Sequence, residues 1–166
     1  MARLAVVKPV AAFLDLIALS EGTSTSKNTH DDGYDIIVSG VNGPNTFTDY
    51  SAHPFAGGRA PIIVRPAPAL LESTASGRYQ LILPTWKHIA AARGLGTFSP
   101  QNQDVAAMEL LSECHALDLI TANKIAAAIE ACCKTWASFP GNSYGQGGRT
   151  LAWLQEEYTS LLAAGQ

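Results

Sequence analysis

Residues 9–22 read PVAAFLDLIALSEG, and their spacing decides how the fold begins. Pro9 suits a first helical turn, where its fixed φ and missing N–H cost nothing. Val10, Phe13, Leu14 and Ile17 then fall at i, i+3, i+4 and i+7, which is one apolar face of an α-helix. Gly22 is a good helix terminator, so the helix is expected to close at Ser20-Glu21-Gly22. Glu21 therefore stands where an apolar helix leaves the core. Partial desolvation there raises a carboxyl toward the range of a general acid at neutral pH. The negative end of the helix dipole pushes in the same direction. A lone Glu at a helix end is also commonplace, so position alone makes Glu21 a candidate and no more.

The preceding residues do not read as a signal peptide or anchor. Lys8, Pro9 and Asp15 interrupt the apolar runs, and a span of about 20 uncharged residues is missing. Outward from the helix, residues 23–33 are polar and read as loop. YDIIVS (34–39) is a β-rich run bounded by glycines, and a turn at 40–45 leads to a second run at 46–50. Together they predict a hairpin. Residues 53–68 carry four prolines and Gly57-Gly58, which predicts an ordered surface loop.

From about residue 78 the chain reads as helical. Residues 78–93 form one segment that Pro84 should kink or restart. Ser99-Pro100 looks like a cap and first turn, with Val105, Met108, Leu111 and Cys114 at helical spacing. Thr121 is expected to cap a helix with Ile125, Ile129, Cys132 and Trp136 inward. A last helix places Leu151, Leu154, Tyr158, Leu161 and Leu162 on one face. The outline is five or so helices with one small hairpin, an α+β fold in two lobes.

With 166 residues, 47% of them hydrophobic, the chain fits one domain, 1–166, with a sizeable core. Eleven Lys and Arg against fourteen Asp and Glu give a net charge of −3, which argues against a nucleic-acid binder. Three cysteines, two of them adjacent, do not make a disulfide framework and read as buried thiols of a protein made in a reducing compartment.

Several chemistries find no pattern. His30, His53, His88 and His115 share no ligand spacing, so no metal site is expected. Cys114 lies mid-helix in an apolar stripe, and Cys132 and Cys133 lie late in another helix, not at the helix N-terminus an activated thiolate favours. Tyr34, Tyr50, Tyr79 and Tyr144 lie in or beside glycine-rich loops, near Asp35, Asp49, Arg78, Gln80, Asn142 and Gln146. Flat aromatic faces beside hydrogen-bonding side chains suit a sugar chain. Loop tyrosines that merely cover a core are the plainer alternative.

At this point whole strings match. AFLDLIALSEGT (12–23), GYDIIVSG (33–40), FTDYSAHP (47–54), STASGRYQL (73–81), FSPQNQD (98–104) and WASFPGNSYGQ (136–146) occur in the order and spacing of one family. In these strings the sequence resembles the lambda-type phage endolysins, small lysozyme-like lytic transglycosylases that degrade bacterial peptidoglycan. The resemblance implies a mainly helical α+β, lysozyme-like fold with a small β-hairpin lobe flanking an active-site cleft. It places the catalytic acid at Glu21. Gly-Arg-Tyr-Gln (77–80) also resembles a segment of other lytic transglycosylases that sets a Gln near the bound sugar, so Gln80 is the second choice. Tyr144-Gly-Gln146 resembles a loop closing the other wall. Tyr34, Asp35, Tyr50, Arg78, Tyr79, Gln80, Tyr144 and Gln146 are thus the expected substrate-binding residues.

The implied reaction cleaves the β-1,4 bond between N-acetylmuramic acid and N-acetylglucosamine and leaves a 1,6-anhydro end. Glu21 serves as acid and then base, with no cofactor. A hydrolytic lysozyme using Glu21 with Asp35 or Asp49, and a non-catalytic cell-wall-binding module, are the alternatives. The resemblance further implies a monomer acting on the glycan strand, without stable membrane insertion, held in the host cytoplasm until a holin releases it. Two features depart from the family's usual pattern: the acidic net charge, and a longer loop at 55–68 whose Arg59 and Arg65 read as solvated.

Overall fold

The computed structural model describes residues 1–141 and 148–164. Among them the chain forms six helices and two separate two-stranded sheets. It divides into two compact units, Met1–Gly22 with Ala107–Gln166, and Thr23–Ala106.

The first unit is helical. Helix α1 (Lys8–Ser20) carries Pro9 in its first turn and buries Val10, Phe13, Leu14 and Ile17, as its period predicts. Helix α3 (Pro100–Glu113) straddles the unit boundary and is followed by α4 (Leu117–Thr121), α5 (Ile125–Cys132) and α6 (Leu151–Ala164). Phe13 lies between aromatic partners, edge-on to Phe139 at 6.1 Å and to Tyr158 at 6.3 Å. Ile125, Ile129, Cys132 and Trp136 all point inward as expected. Thr121 does not cap α5. It ends α4, and its hydroxyl turns back to the carbonyls of Leu117 and Asp118. On α6 only Leu154 and Tyr158 are fully buried. On α3 the buried residues are Pro100, Gln103, Asp104, Ala106, Ala107, Leu110 and Leu111; Val105 and Met108 flank them half-buried, as does Cys114 just past the helix end.

The second unit holds the sheets and α2 (Leu83–Arg93). Strand β1 (Ile36–Gly40) pairs antiparallel with β2 (Gly43–Thr46), with Ile36 opposite Thr46. A hairpin is present where one is expected, but its return strand is Gly43–Thr46 rather than 46–50, because Gly43 at φ +87° turns the chain back earlier. The proline-rich stretch is not all loop. Strands β3 (Ile62–Arg65) and β4 (Leu71–Ser73) form a second hairpin there. Pro61 and Pro66 bracket β3 rather than interrupt it, and the ladder's one irregularity, a register shift between Ile63 and Arg65, falls between them. Val41 donates to the Ile63 carbonyl at 3.0 Å, and a Cβ at Gly40 would collide with the Ile62 side chain. Only glycine lets β1 and β3 meet this closely. Pro84 restarts the helix rather than kinking it, since α2 begins at Leu83 and residues 77–80 form a separate turn. Phe98 is the hub of this core, within 4.8 Å of the Trp86 ring and 4.7 Å of the His53 ring.

Candidate active site

Helix α1 ends as the spacing requires. The Glu21 N–H closes the last turn on the Ile17 carbonyl at 2.9 Å, and Gly22 follows at φ +73°. This delivers Glu21 to the end of an apolar helix with its carboxyl largely out of water. Burial raises its pKa above the usual carboxylate range, and two hydrogen bonds from Ser138 counteract part of that rise. The Ser138 hydroxyl donates to Glu21 Oε1 at 2.7 Å, and the Ser138 N–H reaches the same oxygen at 3.4 Å. Among the described residues nothing donates to Oε2.

Ser138 is itself held. Its hydroxyl lies 2.9 Å from that of Ser20, whose O–H donates to the Ile17 carbonyl at 2.9 Å. Its carbonyl accepts from the Arg149 N–H at 2.8 Å. A Cβ on Gly148 would stand 2.9 Å from that carbonyl, so the approach needs a glycine. In the sequence Ser138 is one residue among many inside WASFPGNSYGQ, and sequence reasoning does not single it out. A serine just before Phe-Pro-Gly, in a turn after an apolar helix, is the signal that could have found it.

The second unit gathers most of the other candidates, and places them inside. Tyr34 and Tyr79 have no exposed surface. Their hydroxyls both donate to Asp104 Oδ1, at 2.7 and 2.6 Å, and their rings meet edge-on at 6.4 Å. Burial and the Asp104 charge push both phenols above their ordinary pKa. Arg78 is 1% exposed, bonded to the carbonyl and carboxylate of Asp32, with its guanidinium 5.2 Å from the Tyr34 ring. Asp35 is buried too, accepting from the Thr29 hydroxyl and from the His30 N–H at 2.8 Å. The sequence reading has these four residues face the glycan. In the structure they are interior, because loop residues next to glycines can fold their rings inward when a buried acceptor such as Asp104 awaits them.

Gln80 and Tyr50 remain partly exposed. Gln80 sits at φ +50° in a turn closed by paired hydrogen bonds between Ser76 and Leu81, and its amide donates to the Gly77 carbonyl at 3.0 Å. The turn is set by Gln103, fully buried, whose side chain accepts from the Arg78 N–H at 2.9 Å and donates to the carbonyls of Tyr34 and Phe98. Tyr50 donates to Asp31 at 2.7 Å. Asp49 is exposed, and its carboxylate is held low by the hydroxyl and N–H of Ser51. Tyr144 and Gln146 lie outside the described residues. Of the cysteines, only Cys132 is fully buried; Cys114 and Cys133 are half-buried, which corrects the expectation for those two.

A helical unit, two small hairpins and one half-buried carboxyl closing an apolar helix make a lysozyme-type fold. Bacteriophage lambda lysozyme complexed with a chitohexasaccharide superposes with a TM-score of 0.84 at 37% identity, covering 95% of this chain and 96% of that one. A second structure of lysozyme from bacteriophage lambda superposes at 0.74, also at 37% identity, covering 96% and 93%. The family model for Endolysin matches residues 11–165. The endolysin of Escherichia phage P2 is 49% identical over 139 residues, 82% of each chain. That of Escherichia phage lambda is 43% identical over 136 residues, 81% of this chain and 79% of its own. The chain belongs to the endolysin family.

Proposed function

We propose that this endolysin cleaves the β-1,4 bond between N-acetylmuramic acid and N-acetylglucosamine in peptidoglycan by transglycosylation, with Glu21 as the one catalytic carboxyl. The observation that carries the reading is Glu21 itself: a carboxyl at the end of an apolar helix whose Oε1 accepts from Ser138, and whose proton affinity burial raises. The protonated carboxyl donates to the glycosidic oxygen. Charge growing at C1 of the muramic sugar is met by that sugar's own acetamido oxygen. Glu21, now a carboxylate steadied by Ser138, takes the proton of the C6 hydroxyl. That oxygen closes on C1, and a 1,6-anhydro ring forms with no water consumed. Glu21 regains its proton in the same step.

The state of the other carboxylates supports a one-carboxyl scheme. A retaining glycosidase places a second carboxyl about 5–5.5 Å from the first. Both oxygens of Asp35 are taken by donors in its own loop, and Asp49 is spent on Ser51. The chitohexasaccharide bound by lambda lysozyme supports a glycan chain as ligand. Gln80 and Tyr50 are the partly exposed residues we assign to it, with Tyr144 and Gln146 on the strength of the family resemblance. Tyr34, Asp35, Arg78 and Tyr79 support that surface from beneath. We further propose a monomeric, single catalytic domain held in the host cytoplasm until a holin opens the way to the wall; the resemblance alone supports this part.

Mass spectrometry of the soluble products of purified peptidoglycan tests the reaction. Fragments ending in 1,6-anhydro-N-acetylmuramic acid are expected. Reducing-end fragments about 18 Da heavier would mean that water was the acceptor and would overturn it.

A further inference from the structure

Glu21, Ser138, Ser20 and Ile17 form one chain of polar contacts within the first unit. The Ser138 hydroxyl donates to Glu21 Oε1 at 2.7 Å and lies 2.9 Å from the Ser20 hydroxyl, which in turn reaches the Ile17 carbonyl at 2.9 Å. Ser20 is buried in the last turn of α1, so solvent does not replace these partners. Among the described residues of this unit, the groups that face the Glu21 carboxyl are the hydroxyl and N–H of Ser138. Burial and these two bonds account for the direction of its pKa.

While Glu21 is charged, these three contacts draw on two hydroxyl protons, because a carboxylate only accepts. With the Ser138 proton on Glu21 and the Ser20 proton on Ile17, the two hydroxyl oxygens face each other at 2.9 Å with no proton between them. Turning the Ser20 hydroxyl toward Ser138 fills that gap. The Ile17 carbonyl is not orphaned by the turn, since it also accepts the Glu21 N–H at 2.9 Å. Of the three contacts, the one to Ile17 is therefore the one to give up.

We propose that Ser20 is a positioning residue for the reaction at Glu21: when Glu21 is charged, the Ser20 hydroxyl turns from the Ile17 carbonyl to donate to Ser138, and so strengthens the bond that Ser138 gives the carboxylate. The step is a rotation of one O–H about its C–O bond, and no covalent bond is made or broken. A hydroxyl that accepts a hydrogen bond becomes a better donor, by about 10–30% per bond in such chains. When Glu21 is neutral the draw on Ser138 falls, and the Ser20 proton rests on Ile17. Ser20 thus acts through Ser138, supporting the carboxylate at the stage when charge has to be carried. This inference rests on the reading of Glu21 as acid and base.

The test titrates Glu21 directly, by carbon NMR of the glutamate carboxyls in the full-length protein, with the Glu21 signal identified by its absence from Glu21→Gln. A carboxylate that loses support holds its proton more tightly, so Ser20→Ala should raise the Glu21 midpoint by a few tenths of a pH unit, less than Ser138→Ala does. The lysis rate of Ser20→Ala at its optimum should fall about two- to fourfold. In the Ser138→Ala background Ser20→Ala should add no shift, and Ser20→Thr, which keeps the hydroxyl, should titrate with the parent. An unmoved midpoint in Ser20→Ala would overturn the proposal. So would a rise of equal size in the Ser138→Ala background, or one in Ser20→Thr as large as in Ser20→Ala. A Glu21→Gln protein that still lyses peptidoglycan would end the reading of Glu21 as the acid but would move none of these midpoints, so the two failures are told apart.

Discussion

The Ser138 hydroxyl lies 2.7 Å from Glu21 Oε1, although 117 positions of chain separate the two residues. A donor on one carboxylate oxygen favours the charged form and opposes what burial does to the group. On the proposed reading, the pair holds Glu21 between two needs, keeping its proton before the bond breaks and carrying charge afterwards.

Ser138→Ala should push the Glu21 pKa further up, because burial remains while the larger opposing hydrogen bond is gone. The alkaline limb of the pH profile, where the acid form is lost, moves to higher pH. Rates at the optimum fall roughly tenfold, on the order of one lost charge-assisted hydrogen bond. Lysis rates across pH read both effects, and Ser138→Thr, which keeps the hydroxyl, should restore the limb. An unmoved limb would show that Ser138 does not tune Glu21.

Glu21→Gln should be more stable than the parent above acid pH. A carboxyl whose folded pKa is raised binds more protons folded than unfolded. The parent therefore loses stability as pH rises from 4.5 to the folded value, and the loss persists above it. Every tenfold difference in proton affinity between the folded and unfolded chain is worth about 1.4 kcal/mol. Urea unfolding should show the variant's advantage growing with pH and vanishing well below 4.5. An advantage independent of pH would contradict the raised carboxyl.

Tyr34→Phe and Tyr79→Phe should each cost about 1–3 kcal/mol, since each removes a donor from the buried Asp104 carboxylate. Both act on one oxygen, so the double variant should depart from the sum of the singles. Urea midpoints give the values. Were these rings glycan-facing, the losses would instead fall on substrate binding with stability unchanged.

Gly77→Ala should cost roughly 2 kcal/mol or more. Gly77 has φ +77°, and a Cβ there would collide with Gln103 Oε1. The displaced amide would give up its bond to the Arg78 N–H and loosen the turn bearing Gln80. Thermal unfolding and KM on soluble glycan fragments should both report it. An unperturbed Tm would contradict the clamp.

The parts legible in the sequence are those set by neighbours along the chain. Helix α1, its stop at Gly22 and the placement of Glu21 follow from a 3.6 period and a terminating glycine. The hairpin of β3 and β4 is hidden because Pro61, Pro66 and Pro68 read as breakers, whereas the first two only frame a four-residue strand. The direction of Tyr34 and Tyr79 is not legible, since it depends on Asp104, 70 and 25 positions away. Ser138 is hidden for the same reason: its role exists only once the chain has brought it back to Glu21.

The most direct test of Glu21 as acid and base is the rate at which Glu21→Gln clears purified peptidoglycan, measured beside its thermal unfolding. The account predicts a loss of about a thousandfold or more, with an unfolding temperature equal to or above the parent's at neutral pH. A normally folded Glu21→Gln protein that lyses peptidoglycan at near-parental rate would contradict it.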